Sequence, residues 1–481
     1  MKRRYLLAGV SMMLVSTGCM IGPKYSRPAA PMPVTKVFKE AEAAGFKPAQ
    51  PDDGLPKGKW WEIYNDPALN ALEAQVNISN QNVLAAEAQF RQARAAVQAA
   101  RSALWPTVTA GLSFSETRTG GVFVGGGSTY QLYDLPLGGS WQPDLWRNLR
   151  RSVTASVASA QATAGDVENA RLLYQSELAQ DYYQIHGIDG KIALLQKTES
   201  SYTDYVTLTR NRYQAGVASP LDVDQAESQL YGVQSTLIDL GTQRAQFEHA
   251  IAVLTGKPPA DVMIPPAVLA TLPPAVPAGV PSELLERRPD IARAERTVAA
   301  ANEQIGIALA AFYPTLTLSA SGGFESTSLK QWFDLPSRFW SVGPALAETL
   351  FDAGRRKSIV AQQRAAYDAS VANYRQTVLT AFQQVEDNLA TLRILAQESG
   401  KVQQTIKAAD SALTVSTIQY KAGTTNYLTV LTAQVTLLNA QVTAVDLETR
   451  RLVASVQLIQ AIGGGWSTSQ MPQAGELVGR K

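Results

Sequence analysis

Two stretches of the chain alternate regularly between apolar residues and small polar residues. They span about 106–117 and 314–324, and their polar positions hold only threonine, serine and glycine. An alternation with a period of two predicts β-strands. A strand with one apolar face and one small polar face suits a wall between lipid and water, as in a transmembrane β-barrel.

A second strand is predicted after each of these, at about 130–141 and 338–348. The alternation is weaker there because Pro136 and Pro344 lie inside the two segments. Proline cannot donate a hydrogen bond to a neighbouring strand. The sequence therefore predicts four strands, two of them locally irregular.

Long helical hairpins are predicted after the strands, at 147–255 and 354–462. Each has a long arm of roughly 100 Å and a shorter return arm. Both return arms carry apolar residues in alternating steps of three and four, interrupted once, by Arg244 in the first and Arg451 in the second. A repeat of about 3.5 residues predicts coiled-coil packing against neighbouring helices.

A shorter helix is also predicted before each strand pair, at about 81–103 and 289–311. Stacked end to end with the return arm of its repeat, it would reach about 90 Å. That length nearly matches the long arm.

The chain contains this arrangement twice. LWPTVTAGLSFS from Leu104 returns as FYPTLTLSASGGF from Phe312, and RYQAGVASPLDV from Arg212 returns as QYKAGTTNYLTV from Gln419. Blocks in one order at one offset of about 207 residues indicate an internal duplication.

The duplication divides the chain into a first repeat at 61–257 and a second at 282–466. A proline-rich linker at 258–281 joins the repeats, and a short tail at 467–481 ends the sequence. A dense run of prolines predicts a connection and not a helix or a strand.

The first residues have the composition of a secretory signal peptide, predicted at 1–18. Its apolar run ends close before Cys19, the only cysteine in the sequence. This position favours cleavage just before Cys19 and attachment of palmitate or a similar lipid to it. Residues 19–60 are predicted to form a lipidated N-terminal tether. After Val15, no run of apolar residues is close to the length that a transmembrane helix needs, about 20 residues.

Composition excludes several functions. The 43 Lys and Arg residues nearly balance the 41 Asp and Glu residues, which argues against a nucleic-acid partner. The chain has two histidines and a single cysteine, so ligands for a metal site are scarce. We expect no enzyme activity and no metal or cofactor beyond the covalent lipid on Cys19.

Four strands cannot close a barrel, and open sheet edges are excluded from lipid. If the strands cross a membrane, several chains must contribute them, and three chains would give three times four, or twelve. The main alternative is a periplasmic coiled-coil lipoprotein that acts as an adaptor or tether without a pore. It would share the lipid and the heptads but would have no use for the alternating strands.

Several motifs occur in order along the chain: GCMIGPKYSRP after the signal, LLERRPDI from Leu284, FYPTLTLSA from Phe312, the RYQAG and QYKAG turns, and GGGW from Gly463. This set resembles the outer-membrane efflux lipoproteins of the OprM- and NodT-like branch of the TolC superfamily. The resemblance implies a mainly α-helical, duplicated TolC-like fold. A trimer would form a 12-stranded β-barrel continuous with a 12-helix periplasmic α-barrel.

The same resemblance implies a function as the passive exit duct of a tripartite efflux system in the bacterial outer membrane. The implied partners are two further copies of the chain, a periplasmic adaptor protein, and an inner-membrane pump, often of the resistance-nodulation-division class. The adaptor would open the duct at its periplasmic helical tips.

Eight residues match the gate and adaptor-binding tips of this family: Gly216, Val217, Asp222, Tyr420, Gly423, Thr424, Thr425 and Thr429. Asp222 and Tyr420 match positions that link neighbouring hairpins in TolC-like gates. Thr425 and Thr432 stand where relatives often carry a charged residue, commonly aspartate, and Thr429 replaces an acid found at a gate constriction in some relatives. A tight acidic ring is therefore in doubt here. The alternative interpretation is ordinary turn chemistry, with the glycines as helix C-caps and Asp222 as a carboxylate favoured at a helix start.

Overall fold

The computed structural model describes residues 21–32, 38–40, 58–120, 127–269, 273–274 and 284–479. Cys19, the predicted signal peptide and most of the predicted linker lie outside the described residues, as do parts of the predicted tether.

Helices make up most of the described chain. Those longer than ten residues are α1 (Pro67–Ser79), α2 (Gln81–Ser102), α3 (Asn148–Gln214), α4 (Pro220–Leu254), α5 (Pro289–Ala310), α6 (Arg355–Lys421) and α7 (Tyr427–Ala461). The long helices α3 and α6 have 67 residues each, and their return partners α4 and α7 have 35 each. Proline occupies the first turn of α1, α4 and α5, where its missing N–H costs nothing.

The shorter helices stack end to end beside the long ones. At the junction of α2 with α4, the Asn80 side chain donates to the Leu254 carbonyl at 2.8 Å, and the Ser79 hydroxyl donates to the Thr255 carbonyl at 2.7 Å. At the junction of α5 with α7, Arg288 donates to the Ala461 carbonyl at 2.8 Å. These bonds satisfy carbonyls that a helix end leaves unpaired. The stacking that the helix lengths suggested is therefore present.

Helix α7 is the one described helix that is long and apolar enough, by length and composition, to cross a membrane. The sequence predicted none. In the structure it packs along α6 and α3. Buried residues of its predicted seam include Ala440, Leu447 and Leu458.

The five described strands form one antiparallel sheet. They are β1 (Thr107–Ala110), β2 (Ser113–Arg118), β3 (Thr129–Trp141), β4 (Thr315–Ser326) and β5 (Arg338–Ala347). The order is β1, β3, β4, β5, with β2 also paired to β3. Strands β3 and β4 come from different repeats, so the duplication is joined through the centre of the sheet.

The first predicted strand is wrong in one respect, because it is interrupted between β1 and β2 at Gly111 and Leu112. The pairing register with β3 continues unshifted across the interruption. Gly111 still donates to the Pro136 carbonyl at 3.0 Å, but Pro136 has no N–H to return a bond. The irregularity predicted for the proline-bearing strand thus appears in its partner.

The two faces of the sheet differ in chemistry. Residues paired across the register lie on the same face, and one face carries exposed apolar side chains from every strand. They include Val108, Leu112, Phe114, Leu137, Trp141, Leu318, Trp340, Val342 and Leu346. Trp340 is 77% exposed. The opposite face is lined mainly by threonine, serine and glycine.

The main hydrophobic core lies at the level of α1, packed against α3 and α7. A short 3-10 turn, Trp60–Tyr64, inserts its aromatic rings there, and the Tyr64 hydroxyl bonds the Ser455 hydroxyl at 2.7 Å. The predicted tether thus ends in the core and not in solvent. Its earlier described residues are also packed, since Lys39 and Glu40 donate their backbone N–H groups to the Glu386 carboxylate.

Arg244, which interrupts the seam of α4, has a specific partner. Its guanidinium bonds Asp189 of α3 at 2.7 Å and the Ile264 carbonyl of the linker at 2.6 Å. Asp189 also accepts from the Ala267 N–H at 3.1 Å. A polar network therefore fastens the start of the linker onto the first hairpin.

A carboxyl group is fully buried in α1. Glu73 is 0% exposed, and neither of its oxygens has a hydrogen-bond partner among the described residues. Burial raises the pKa of the Glu73 carboxyl well above its ordinary value of 4.5, so this side chain is favoured in its neutral form. Ionising it costs stability, and that cost grows as the pH rises above 4.5.

We therefore expect Glu73→Gln to raise the heat-denaturation midpoint relative to the unsubstituted protein, by an amount that grows from acidic to mildly alkaline pH. The exposed Glu62→Gln is the matched control and should shift the midpoint little at any pH, because its pair with Lys59 lies on the surface. A difference for Glu73→Gln that does not change with pH would contradict the assignment.

Candidate functional site

The two tight turns at the far end of the hairpins are built alike. Gly216 and Gly423 follow α3 and α6 with φ angles of 75° and 76°, a conformation that glycine adopts without strain. Val217 donates to the Arg212 carbonyl at 2.8 Å, and Thr424 donates to the Gln419 carbonyl at 3.0 Å. These bonds form the usual glycine C-cap, so the turn-chemistry interpretation accounts for both glycines.

The return helices also start alike. Ser219 caps α4 by accepting from the Asp222 N–H at 3.3 Å, and Asn426 caps α7 by accepting from the Thr429 N–H at 3.3 Å. Asp222 and Thr429 therefore occupy equivalent positions in the two repeats. The Thr429 hydroxyl donates to the Asn426 side chain at 3.0 Å and accepts from Thr425 at 3.1 Å. At this position the second repeat has a local hydroxyl network where the first has a carboxylate.

Tyr420 lies between the two hairpins and is only 2% exposed. The guanidinium of Arg212, from the first hairpin, lies over its ring at 4.7 Å from the centroid. The Tyr427 ring packs against it at 5.5 Å. The contact with Arg212 is a cation–π interaction, which gains strength when the groups are desolvated.

The surroundings of the Tyr420 hydroxyl shift its pKa. Burial raises the pKa of the Tyr420 hydroxyl, the nearby Asp222 carboxylate raises it further, and Arg212 lowers it. Asp222 therefore acts on Tyr420 through its charge, and the buried Tyr420 hydroxyl has no hydrogen-bond partner among the described residues.

A hydrogen bond also joins the hairpins one turn above. The Tyr205 hydroxyl of α3 bonds the Thr417 hydroxyl of α6 at 2.8 Å. We call Tyr205, Arg212, Thr417, Tyr420 and Tyr427 the tip cluster. It rests on a small apolar core, formed by Val206, Ala226 and Val430 with the two buried tyrosines. The sequence identified only Tyr420 of this cluster.

The equivalent of Tyr420 in the first repeat behaves differently. Tyr213 occupies the same place in the RYQAG turn but is 49% exposed. In the second repeat, Gln419 occupies the position that Arg212 has in the first. The arginine–tyrosine contact therefore forms once within a chain, at the boundary between its own hairpins.

The tip surface outside the cluster is uncharged at the predicted positions Thr424 and Thr425, and Val217 is exposed there. No group of three His, Cys, Asp or Glu side chains is arranged to hold a metal ion in the part of the chain that the structure describes. The candidate site is a joint between helices stabilised by packing, one cation–π contact and hydroxyl bonds.

Comparison with known proteins places this architecture in a family. The family model "Outer membrane efflux protein" matches residues 72–257 and 280–464. The toluene efflux pump outer membrane protein TtgF of Pseudomonas putida is 30% identical over 475 residues, covering 97% of this chain and 98% of the relative. The outer membrane protein OprJ of Pseudomonas aeruginosa is 29% identical over 473 residues, covering 95% and 96%.

Solved structures agree. The outer-membrane channel OprN superposes with a TM-score of 0.86 at 29% identity, covering 93% of this chain and all of that one. The outer membrane channel CmeC of Campylobacter jejuni also has a TM-score of 0.86, at 22% identity over 96% of this chain, a likeness of fold. The fold is therefore the duplicated TolC-like fold that the motifs implied.

The tip cluster makes a quantitative prediction. If Tyr205 and Thr417 hold the hairpins together, Tyr205→Phe and Thr417→Val should each weaken protection of the tip amides, and the double variant should lose less than the sum. The coupling should be about 0.5–1.5 kcal/mol, the usual net value of one hydrogen bond. Amide hydrogen exchange of the tip measures it.

Thr207→Val is the matched control, because the Thr207 hydroxyl bonds only its own helix. Combined with Tyr205→Phe, it should give strictly additive changes. Additive changes for the Tyr205 and Thr417 pair as well would show that the bond does not hold the hairpins.

Proposed function

The chain belongs to the outer membrane efflux protein family, and from this premise we propose that three copies of it close into one passive channel that opens at its periplasmic helical tips. Its location is the outer membrane, with the helices extending into the periplasm. In the proposed system an inner-membrane pump supplies the exported substrate and the energy, and the chain itself catalyses no reaction.

The open sheet carries this proposal. Strands β1 and β2 pair only with β3, and β5 pairs only with β4, among the described residues. Both outer edges therefore hold unpaired backbone groups beside an apolar face that suits lipid. In a membrane such edges must find partners. A neighbouring copy offers the complementary edge on each side, and three copies together would supply twelve strand positions.

The helices support closure in the same way. Helix α4 lies at one lateral edge of the chain and exposes Tyr231 and Ile238. Helix α6 lies at the other edge and exposes Ile394, Val415 and Ile418. Exposed apolar rows on long helices are typical of unfilled helix–helix contacts. We propose that α4 of one copy packs against α6 of the next.

This ring gives the tips two kinds of boundary. Within a chain, Arg212 covers Tyr420. Between chains, the exposed Tyr213 would meet Gln419 of the next copy, which cannot make a cation–π contact. We propose that the boundaries between chains separate first when an adaptor binds the exposed tip residues, since a partner that prefers the open tips shifts the equilibrium toward them. Several relatives, TtgF among them, are named efflux pump outer membrane proteins, which supports a partner pump.

The N-terminal segment supports a lipid anchor on Cys19. Gly22 lies so close to α5 that a Cβ there would be 2.6 Å from Gly306 Cα. The Pro23 carbonyl accepts from Arg151, which forms a buried ion pair with Glu303 at 2.6 Å. These residues lie within two turns of the helix ends that join the sheet. A lipid three residues before Gly22 would therefore be near the membrane surface.

Lipidation is tested by growth with an alkyne-bearing palmitate analogue. The unsubstituted chain and Met20→Ala should take up the label, and Cys19→Ala should take up none. The apolar sheet should still keep Cys19→Ala in the membrane fraction. An unlabelled wild-type chain would overturn the anchor.

The gate is tested by conductance in planar bilayers. Asp222→Ala combined with Tyr420→Phe should raise single-channel conductance, because the change removes a charge and a hydroxyl from the tips where the channel is proposed to close. Asp239→Ala combined with Tyr231→Phe, the same changes in the middle of α4, should leave conductance near the wild-type value. Unchanged conductance of the tip variant with intact trimers would contradict the gate assignment.

A further inference from the structure

The connection between β4 and β5 carries an exposed apolar surface. Residues 327–337 contain two short 3-10 turns, Leu329–Gln331 and Leu335–Ser337. Leu329, Phe333 and Leu335 are all largely exposed, Leu335 at 77%. Because β4 starts beside the helices and runs away from them, this segment lies at the end of the sheet farthest from the periplasmic helices. We call it the outer loop.

The outer loop folds onto the apolar face of the sheet. The Phe333 ring packs against Phe324 at 5.5 Å, and the Trp332 ring packs against Tyr133 at 5.6 Å. Tyr133 in turn contacts Phe114 at 4.9 Å. Register places Phe114, Tyr133 and Phe324 on the apolar face. The outer loop therefore covers that side and turns away from the small polar side.

The loop is fixed in this position. Trp332 donates its indole N–H to the Phe324 carbonyl at 3.1 Å, and the Ser337 hydroxyl donates to the Gln331 carbonyl at 2.6 Å. Trp332 and Phe333 also stack on each other at 5.1 Å. With its aromatic side chains held against the sheet, the loop presents Leu329 and Leu335 outward.

Two occupants can cover this surface, lipid or a neighbouring copy. The loop leans toward Tyr133 of β3, over the middle of its own sheet, and away from the free edge of β5 where another copy would pair. It is also continuous with the apolar face that meets the membrane. Lys330, Asp334 and Arg338 are exposed around it, as expected where acyl chains give way to head groups.

We infer that the outer loop is a membrane-embedded wedge whose leucines insert among the acyl chains of the outer leaflet, extending the lipid contact of the barrel beyond the ends of its strands. The inference rests on the proposed function, since it requires the apolar face of the sheet to meet lipid. An apolar segment of this kind sits about 5–10 Å below the head groups.

The test places an environment-sensitive fluorophore on single cysteines in the full chain, reconstituted in phosphatidylcholine vesicles. Leu335→Cys and Leu329→Cys report on the outer loop. Gly120→Cys, in the other connection at this end, is the water-exposed control, because an added side chain there meets nothing within 4 Å. Val342→Cys, on the apolar face of β5, is the reference for the sheet. The unsubstituted chain shows any labelling of Cys19.

Probes at 335 and 329 should lose most of their emission when the vesicles contain phosphatidylcholine with a nitroxide on its acyl chain, and should be shielded from iodide in water. The probe at 120 should behave in the opposite way. Quenching of the probes at 335 and 329 by iodide would place the loop in water and overturn the inference. Shielding of these probes from both quenchers would indicate contact with another copy of the chain and would also overturn it. If the probe at 342 were not quenched by the nitroxide lipid, the proposed barrel itself would be overturned.

Discussion

The structure depends on the backbone groups at the two free edges of its sheet. Each chain brings an amphipathic sheet in which the centre is paired and the outer strands are not. In water, exposed edges invite aggregation, and in lipid they are excluded. Only closure with further copies removes them, and the helical wall below must then close with the same symmetry. The lateral apolar rows on α4 and α6 follow from the same requirement.

In the proposed trimer, duplication would turn this closure into a ring of nearly equivalent units, and the gate would depend on the differences between the units. The two long hairpins have the same helix lengths and the same kind of glycine turn. They differ at the tips, where Arg212 covers Tyr420 within the chain while Tyr213 stays half exposed. A perfect six-fold ring would have no preferred place to open. In the proposed trimer, three tight boundaries would alternate with three weaker ones and would provide it.

Much of this fold was predictable because its signals are periodic. Alternation with a period of two marked the sheet, heptads marked the return arms, and repetition marked the two units. The remainder depends on contacts between distant residues, which leave no local pattern. Pro136 predicted irregularity in β3, but the interruption lies between β1 and β2. Pro136 has no N–H to donate, and it is the partner strand that loses this hydrogen bond. Arg244 looked like a defect in a seam until its partners, Asp189 and the Ile264 carbonyl, were in place. Within the tip cluster only Tyr420 was identified, since Tyr205 and Thr417 meet across 212 residues of sequence.

Closure by copies of the chain is the central claim, and the number of copies tests it most directly. Native mass spectrometry of the protein, extracted from outer membranes in mild detergent, counts them without reference to activity. The account predicts a single dominant species with three chains, because each chain supplies four strand positions and one third of the helical wall. A stable monomer, or a species with another number of chains, would contradict it.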